Sequence, residues 1–148
     1  MRIVVGFPTL GTLPRAYTPM KLHFNSARGI HLITARGRGF IEVNRTQHTT
    51  SLLLMADSIR PWALSDIAAL TRESASELVA LHPELVLIGT GERHQFPAPD
   101  SYRDLIEAGI GVEIMSTDAA CRTYNFLASE GRQVLAALIV ETTKLPEE

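Results

Sequence analysis

The only cysteine of the chain, Cys121, lies in "MSTDAACRTYNFLASEGR" (Met115 to Arg132), one residue before Arg122 and shortly after Ser116, Thr117 and Asp118. A thiol near a helix start and beside a guanidinium has the ingredients of an activated nucleophile. Unpaired backbone N–H groups and positive charge both favour the thiolate. The same side chain is equally a small apolar filler of protein cores. Orientation decides between the two. At about 100° per residue, Ala120, Tyr124, Leu127, Ala128 and Gly131 share one arc with Cys121 at its edge. Arg122, Asn125 and Ser129 lie opposite, and Phe126 stands next to that polar stripe. The wheel turns Cys121 toward a core, and no histidine is close in sequence to act as its base. Thr117 or Asp118 is the expected N-cap.

Two further groups of residues invite chemistry. In "IGVEIM", Ile110, Val112 and Ile114 alternate with Gly111, Glu113 and Met115, so Glu113 leaves the strand on its own face. A carboxylate in an inner strand needs a partner or a raised pKa. Glu113 therefore reads as an acid or base at a pocket, as half of an ion pair with Arg122 or Arg132, or as an exposed side chain beside a small neighbour. "GTGERHQFPAP" (Gly89 to Pro99) is longer than a usual strand-to-helix loop. Ligands of open α/β sheets lie beyond the carboxyl ends of the strands. Gly89, Thr90 and Gly91 could there face Ser116 and Thr117 across a crevice and offer backbone donors to a small anionic ligand. GTG is not a full dinucleotide fingerprint, and tight turning explains both glycines as well. His23, His31, His48, His82 and His94 show no HExxH spacing, and one cysteine cannot build a thiolate site, so no metal and no cofactor is expected. No catalytic residue is assigned, with Cys121 and Glu113 kept as the alternative.

The elements that must position these residues follow from pattern and punctuation. "GIHLITA" and "FIEVN" flank "RGRG", the mark of a hairpin, and "SLLLM" (Ser51 to Met55) is a short buried strand ended by Arg60-Pro61-Trp62. Residues 72–82 suit a helix capped by Thr71 and stopped by Pro83, with Leu78, Val79 and Leu81 for packing. "LVLIG" (85–89), "IGVEIM" (110–115) and "VLAALIV" (134–140) are strands. Between them come a helix capped by Asp100, with Tyr102, Leu105 and Ile106 on one face, and a helix over about 118–131. Strand–helix–strand–helix–strand implies parallel neighbours joined by right-handed crossovers. Residues 1–19, with three prolines and no sustained period, read as a loosely ordered arm, and residues 20–148 as one α/β domain.

Composition bounds the rest. Of 148 residues, 45% are hydrophobic and 20% charged, an ordinary soluble balance. No apolar run is long enough to span a membrane, and "IVVGF" is shorter than the core of a secretory signal. A cytoplasmic location is expected. Residues 1–45 carry seven of the fourteen Lys/Arg but one of the sixteen acids, Glu42. Arg28, Arg36, Arg38 and Arg45 with Phe40 make the hairpin basic enough for weak nucleic-acid binding. The acidic remainder argues against a surface that tracks phosphates.

"GIGVEIMSTDAACRTYNFLASEGRQVLAALI", with "LVLIGTG" upstream, resembles an uncharacterised domain family with an archaeal prototype. That family includes the mitochondrial respiratory complex I assembly factor 3. The hairpin, "SLLLM" and Trp62 fall where its pattern puts them, so the likeness spans about residues 20–141. The hairpin departs from it in reading "ARGRG", with Arg36 where an aromatic residue is expected. The resemblance implies an α/β fold of three layers: a central, mostly parallel or mixed sheet, helices on one side and an antiparallel strand layer on the other. It also implies, for the mitochondrial relatives, a non-enzymatic role in assembling a membrane complex, and a mitochondrial location if the chain is eukaryotic. It carries no agreed catalytic residues. The leading expectation is a protein-binding module whose surface includes Arg36 and Arg38 on the hairpin and Arg122, Asn125 and Phe126 on the outward helix face. Its partner would be another protein, with self-association left open. A small-ligand protein or enzyme using the Gly89–Gly91 and Met115–Cys121 crevice is the alternative.

Overall fold

The computed structural model describes residues 29–141. The chain divides into two units between Ile30 and His31, and the fold below is that of the second. The expected arm over residues 1–19 lies outside the described residues.

The chain first folds a three-stranded antiparallel sheet, β1 (Ile33–Gly37), β2 (Phe40–Val43) and β3 (Thr46–His48), in that order. "RGRG" makes the expected tight turn, with Gly37 opposite Phe40 and Gly39 at φ 81°. The second turn and β3 had no strong signal in the sequence. Asn44 and Arg45 both adopt positive φ, as a two-residue hairpin of matching twist requires.

The second sheet has five strands: β4 (Leu52–Met55), β5 (Ser58–Pro61), β6 (Leu85–Gly89), β7 (Gly111–Met115) and β8 (Val134–Leu138). Their order is β5-β4-β8-β6-β7. β6 runs parallel to β7 and β8, whereas β4 is antiparallel to β8 and β5. β8 is buried at every residue, which explains why "VLAAL" is apolar without alternation. Because β8 sits between β4 and β6, β7 is left at the sheet edge. That corrects the expectation for Glu113, which is exposed on an edge strand rather than held in an inner one. Pro61 does not precede the sheet's end as a pure interruption: it closes β5, an edge strand where its missing N–H costs no ladder bond.

Three α-helices occur among the described residues: α1 (Arg72–Ala80), α2 (Arg103–Glu107) and α3 (Thr117–Ser129). Thr71 caps α1 through a reciprocal box with Ser74. Asp100 does not cap α2. It lies in a preceding 3-10 turn, Pro99–Tyr102, and pairs with Arg103 at 2.8 Å. Ile106, expected on the apolar face with Tyr102 and Leu105, is largely exposed, because α2 is too short to bury more than Leu105. The cap of α3 is Ser116, whose hydroxyl accepts from Ala119 N, one residue earlier than expected.

The three layers match the architecture implied by the resemblance, with one refinement. α1 and α2 cover one face of the large sheet, where Leu78 and Leu105 pack with Leu53, Val86, Ile88 and Leu135. The other face carries the antiparallel sheet through Ile33, Ile41 and Val43, and α3 shares that side through Ala120, Cys121, Tyr124 and Ala128.

Candidate interaction cleft

Three chain segments meet at the carboxyl ends of β6, β7 and β8, and glycine lets them approach. A Cβ on Gly89 would lie 2.9 Å from the Thr117 Cα, so any larger residue would push α3 off the sheet. Met115 O accepts from Thr90 N at 2.8 Å, and Gly91 O accepts from Thr117 N at 2.8 Å. The Thr117 hydroxyl accepts from Gly91 N at 2.9 Å and donates to Ile139 O at 2.7 Å. Ile139 N in turn donates to Gly89 O at 2.9 Å. The buried Thr90 hydroxyl donates to Arg93 O and accepts from Gln95 N, folding its own loop. The residues expected to line a crevice, Gly89, Thr90, Gly91, Ser116 and Thr117, are thus brought together. The hydroxyls of Thr90, Ser116 and Thr117 and the backbone N–H groups of Thr90, Gly91 and Thr117 are engaged within this junction, in the Thr90 loop and in the cap of α3. These strand ends are therefore bonded together rather than facing each other across an open gap.

The opening lies to one side. A cleft of about 300 Å³ runs between the β1–β2 turn, the loop after β6, the start of α3 and the chain following β8. Ile41, Ile139 and Val140 give it apolar walls, the Phe40 ring folds over Gly37 beside it, and Gly91 and Thr117 reach its edge. The expected interaction residues Arg36 and Arg38 line it together with Glu92, Asp118 and Glu141. The Asp118 carboxylate accepts from both Arg36 and Arg122. The Arg36 guanidinium, with help from Arg122, holds the Asp118 carboxyl below its ordinary value, and Asp118 raises the pKa of Arg36. Arg38 reaches Glu92 at 3.2 Å. Among the described residues, Glu141 accepts from the Glu92 backbone N–H, at 3.3 Å.

The helix-face expectation divides in two. Arg122 and Phe126 do face outward, Phe126 with 65% of its surface exposed. Asn125 does not: its side chain turns onto β1, where Oδ1 accepts from Ile33 N and Nδ2 donates to Ile33 O, each at 2.8 Å. Cys121 is 2% exposed among the apolar residues under α3. Burial pushes its thiol up to about 12 despite the two nearby arginines, so the neutral thiol prevails at physiological pH. Sequence reasoning took Asp118 only as an alternative N-cap and passed over Glu92 and Glu141. The Asp118–Arg122 spacing of four was a readable helix signal; the other two acids sit on loops that only the fold brings to the hairpin.

A family described as "Protein of unknown function (DUF498/DUF598)" matches residues 33–139. A "13 kDa major membrane protein" of Francisella tularensis subsp. holarctica is 31% identical over 106 residues, 70% of this chain and 85% of that protein. The Bos taurus protein named NADH dehydrogenase (ubiquinone) 1 alpha subcomplex assembly factor 3 is 35% identical over 120 residues, 80% of this chain and 65% of that protein. A crystal structure of a Bordetella parapertussis protein superimposes with a TM-score of 0.72 at 36% identity, over 76% of this chain and 97% of that one. No helix among the described residues is long and apolar enough to cross a membrane.

Proposed function

We propose, on the premise that this chain belongs to the DUF498/DUF598 family, that it is a non-enzymatic, cytoplasmic protein-binding module of assembly-factor type. The observation that carries this reading is the 35% identity over 120 residues to a relative named as an assembly factor for NADH dehydrogenase. The surface geometry supports it. Arg36 of β1 and Arg122 of α3 are joined through the Asp118 carboxylate. Phe126, exposed, follows one turn after Arg122. A fixed charged cluster beside an exposed aromatic ring has the make-up of a binding hot spot, where aromatic and arginine side chains carry most of the energy.

The rival chemistries have less to draw on. A nucleophilic role for Cys121 needs an accessible thiolate, whereas this sulfur is buried and protonated. Nucleic-acid binding by the hairpin needs free positive charge, whereas Arg36 and Arg38 are each paired with a carboxylate of the same chain.

The test is affinity capture with the full chain. One stoichiometric partner is expected, with capture weakened by Arg122→Ala and by Phe126→Ala. Absence of any partner above background, or a partner indifferent to both substitutions, overturns the reading.

A further inference from the structure

We infer that the cleft between the β1–β2 turn and Glu141 is a receptor for one basic side chain, lysine or arginine, of a partner polypeptide. The inference rests on the protein-binding reading above and names the chemistry of the partner at one point of its surface.

Size comes first. At about 300 Å³ the cleft stands at the lower end of ligand pockets, suited to one long side chain rather than to a nucleotide-sized cofactor. Its lining is divided by polarity. Ile41, Ile139 and Val140 form apolar walls, and the Phe40 ring faces the same space. A lysine or arginine side chain has that character: an aliphatic stem that gains by contact with apolar surface and a cationic head that must stay polar. An aromatic ring adds attraction for the head.

Charge then selects the sign. Arg36 and Arg38 bring two positive charges to the lining, and Glu92, Asp118 and Glu141 bring three negative ones. Asp118 is committed to Arg36 and Arg122, and Glu92 to Arg38. Glu141 is left with a backbone N–H as its partner and with no cation among the described residues. It is half-buried, so an arriving cation would meet a carboxylate partly shielded from water, where charged hydrogen bonds are strongest. An anion would find the loop donors already taken, since Gly91 N is bonded to Thr117 and Thr117 N to Gly91. Arg38, 75% exposed and paired with Glu92 among the described residues, sits at the cleft as a built-in competitor.

The experiment titrates the full-length chain with N-acetyl-arginine methylamide, N-acetyl-lysine methylamide and N-acetyl-glutamate methylamide, followed by amide chemical shifts. Saturable shifts at Gly91, Glu92 and Val140 are expected with the two basic probes and none with the acidic one. Glu141→Gln keeps the side-chain shape and is expected to weaken binding about tenfold, the scale of a charged hydrogen bond. Arg38→Ala is expected to strengthen it, by up to roughly fivefold, the scale of an exposed ion pair. Unchanged amide spectra outside the cleft would establish that both variants are folded. Preference for the glutamate probe, no saturable shift with any probe, or binding unaffected by Glu141→Gln would overturn the inference. A partner still captured in that event would leave the broader protein-binding reading standing.

Discussion

The carboxamide of Asn125 pairs with both backbone groups of Ile33, accepting from its N–H and donating to its carbonyl, each at 2.8 Å. A side chain on α3 thus takes the place that a neighbouring strand would occupy along the edge of β1 that no strand among the described residues pairs with. The pairing lies beside the register irregularity between Ile33 and Ala35. One turn of helix supports it further, since the buried Tyr124 hydroxyl donates to His31 O at 2.7 Å. These bonds tie the antiparallel sheet to α3, and so set the position of Arg36 over Asp118.

Asn125→Ala should therefore loosen the hairpin as well as destabilise the fold. Two part-buried backbone groups lose their partner, at a cost of about 1–3 kcal/mol. Asn125→Asp should cost at least as much, because a carboxylate can accept from Ile33 N but sets an oxygen against Ile33 O. Urea midpoints of the two variants against the parent check the order; a loss below about 0.5 kcal/mol for both would count against the pairing.

Cys121 should resist alkylation in the native state. Its thiol is buried and its pKa is pushed up to about 12 from an ordinary 9.0, by burial. A folded pKa above the unfolded one favours the native state below about pH 9. That contribution declines as pH rises from the unfolded value through the folded one, because only the unfolded chain readily releases the proton. Iodoacetamide rates from pH 7 to 10, with and without denaturant, measure this: slow and nearly flat when folded, fast and rising when unfolded.

The Arg36–Asp118–Arg122 cluster should show the opposite pH sense. Arg36 lowers the Asp118 pKa below its ordinary 3.8, so its stabilising effect is present above that value and fades as pH falls through the folded pKa. Asp118 is about half exposed, and solvent screening keeps the effect of Asp118→Asn below about 1 kcal/mol. The more sensitive readout is the hairpin itself. Amide shifts of Arg36 and Gly37 should move in Asp118→Asn at pH 7 and on acidification of the parent, and raised salt should diminish the difference.

Thr117→Val should disturb the junction of loop, helix and strand. The substitution preserves shape but removes the acceptor of Gly91 N and the donor to Ile139 O. A loss of about 1–3 kcal/mol is expected, with faster amide exchange at Gly91 than at the parent residue. Thr117→Ser, which keeps the hydroxyl, should restore most of it.

The strands over 85–89, 111–115 and 134–138 were legible because each is a short apolar run between clear breakers, and α1 because Thr71 and Pro83 bracket it. The wheel through Cys121 was legible for the same reason: helical period is a local property. What escaped was contextual. Asn125 looked outward on the wheel because its polarity matched water, yet the backbone of β1 supplies equivalent hydrogen bonds. Glu113 looked inner because Val112 and Ile114 are apolar, and β7 became an edge only when β8 took the place between β6 and β4.

By itself the sequence determined the element types, the apolar faces and the absence of any long apolar run, since these depend on neighbours a few residues apart. It also carried the family likeness in the segment that runs from β7 to β8. Tertiary structure alone decided which strands stand at the edges, that Gly89–Gly91 and Thr117 close on each other, and that Arg36, Asp118 and Glu141 surround one cleft. They bring together groups as much as 105 positions apart in the chain, as when Arg36 and Glu141 line the same cleft. They arise from burying both faces of the large sheet at once, a requirement no local pattern encodes.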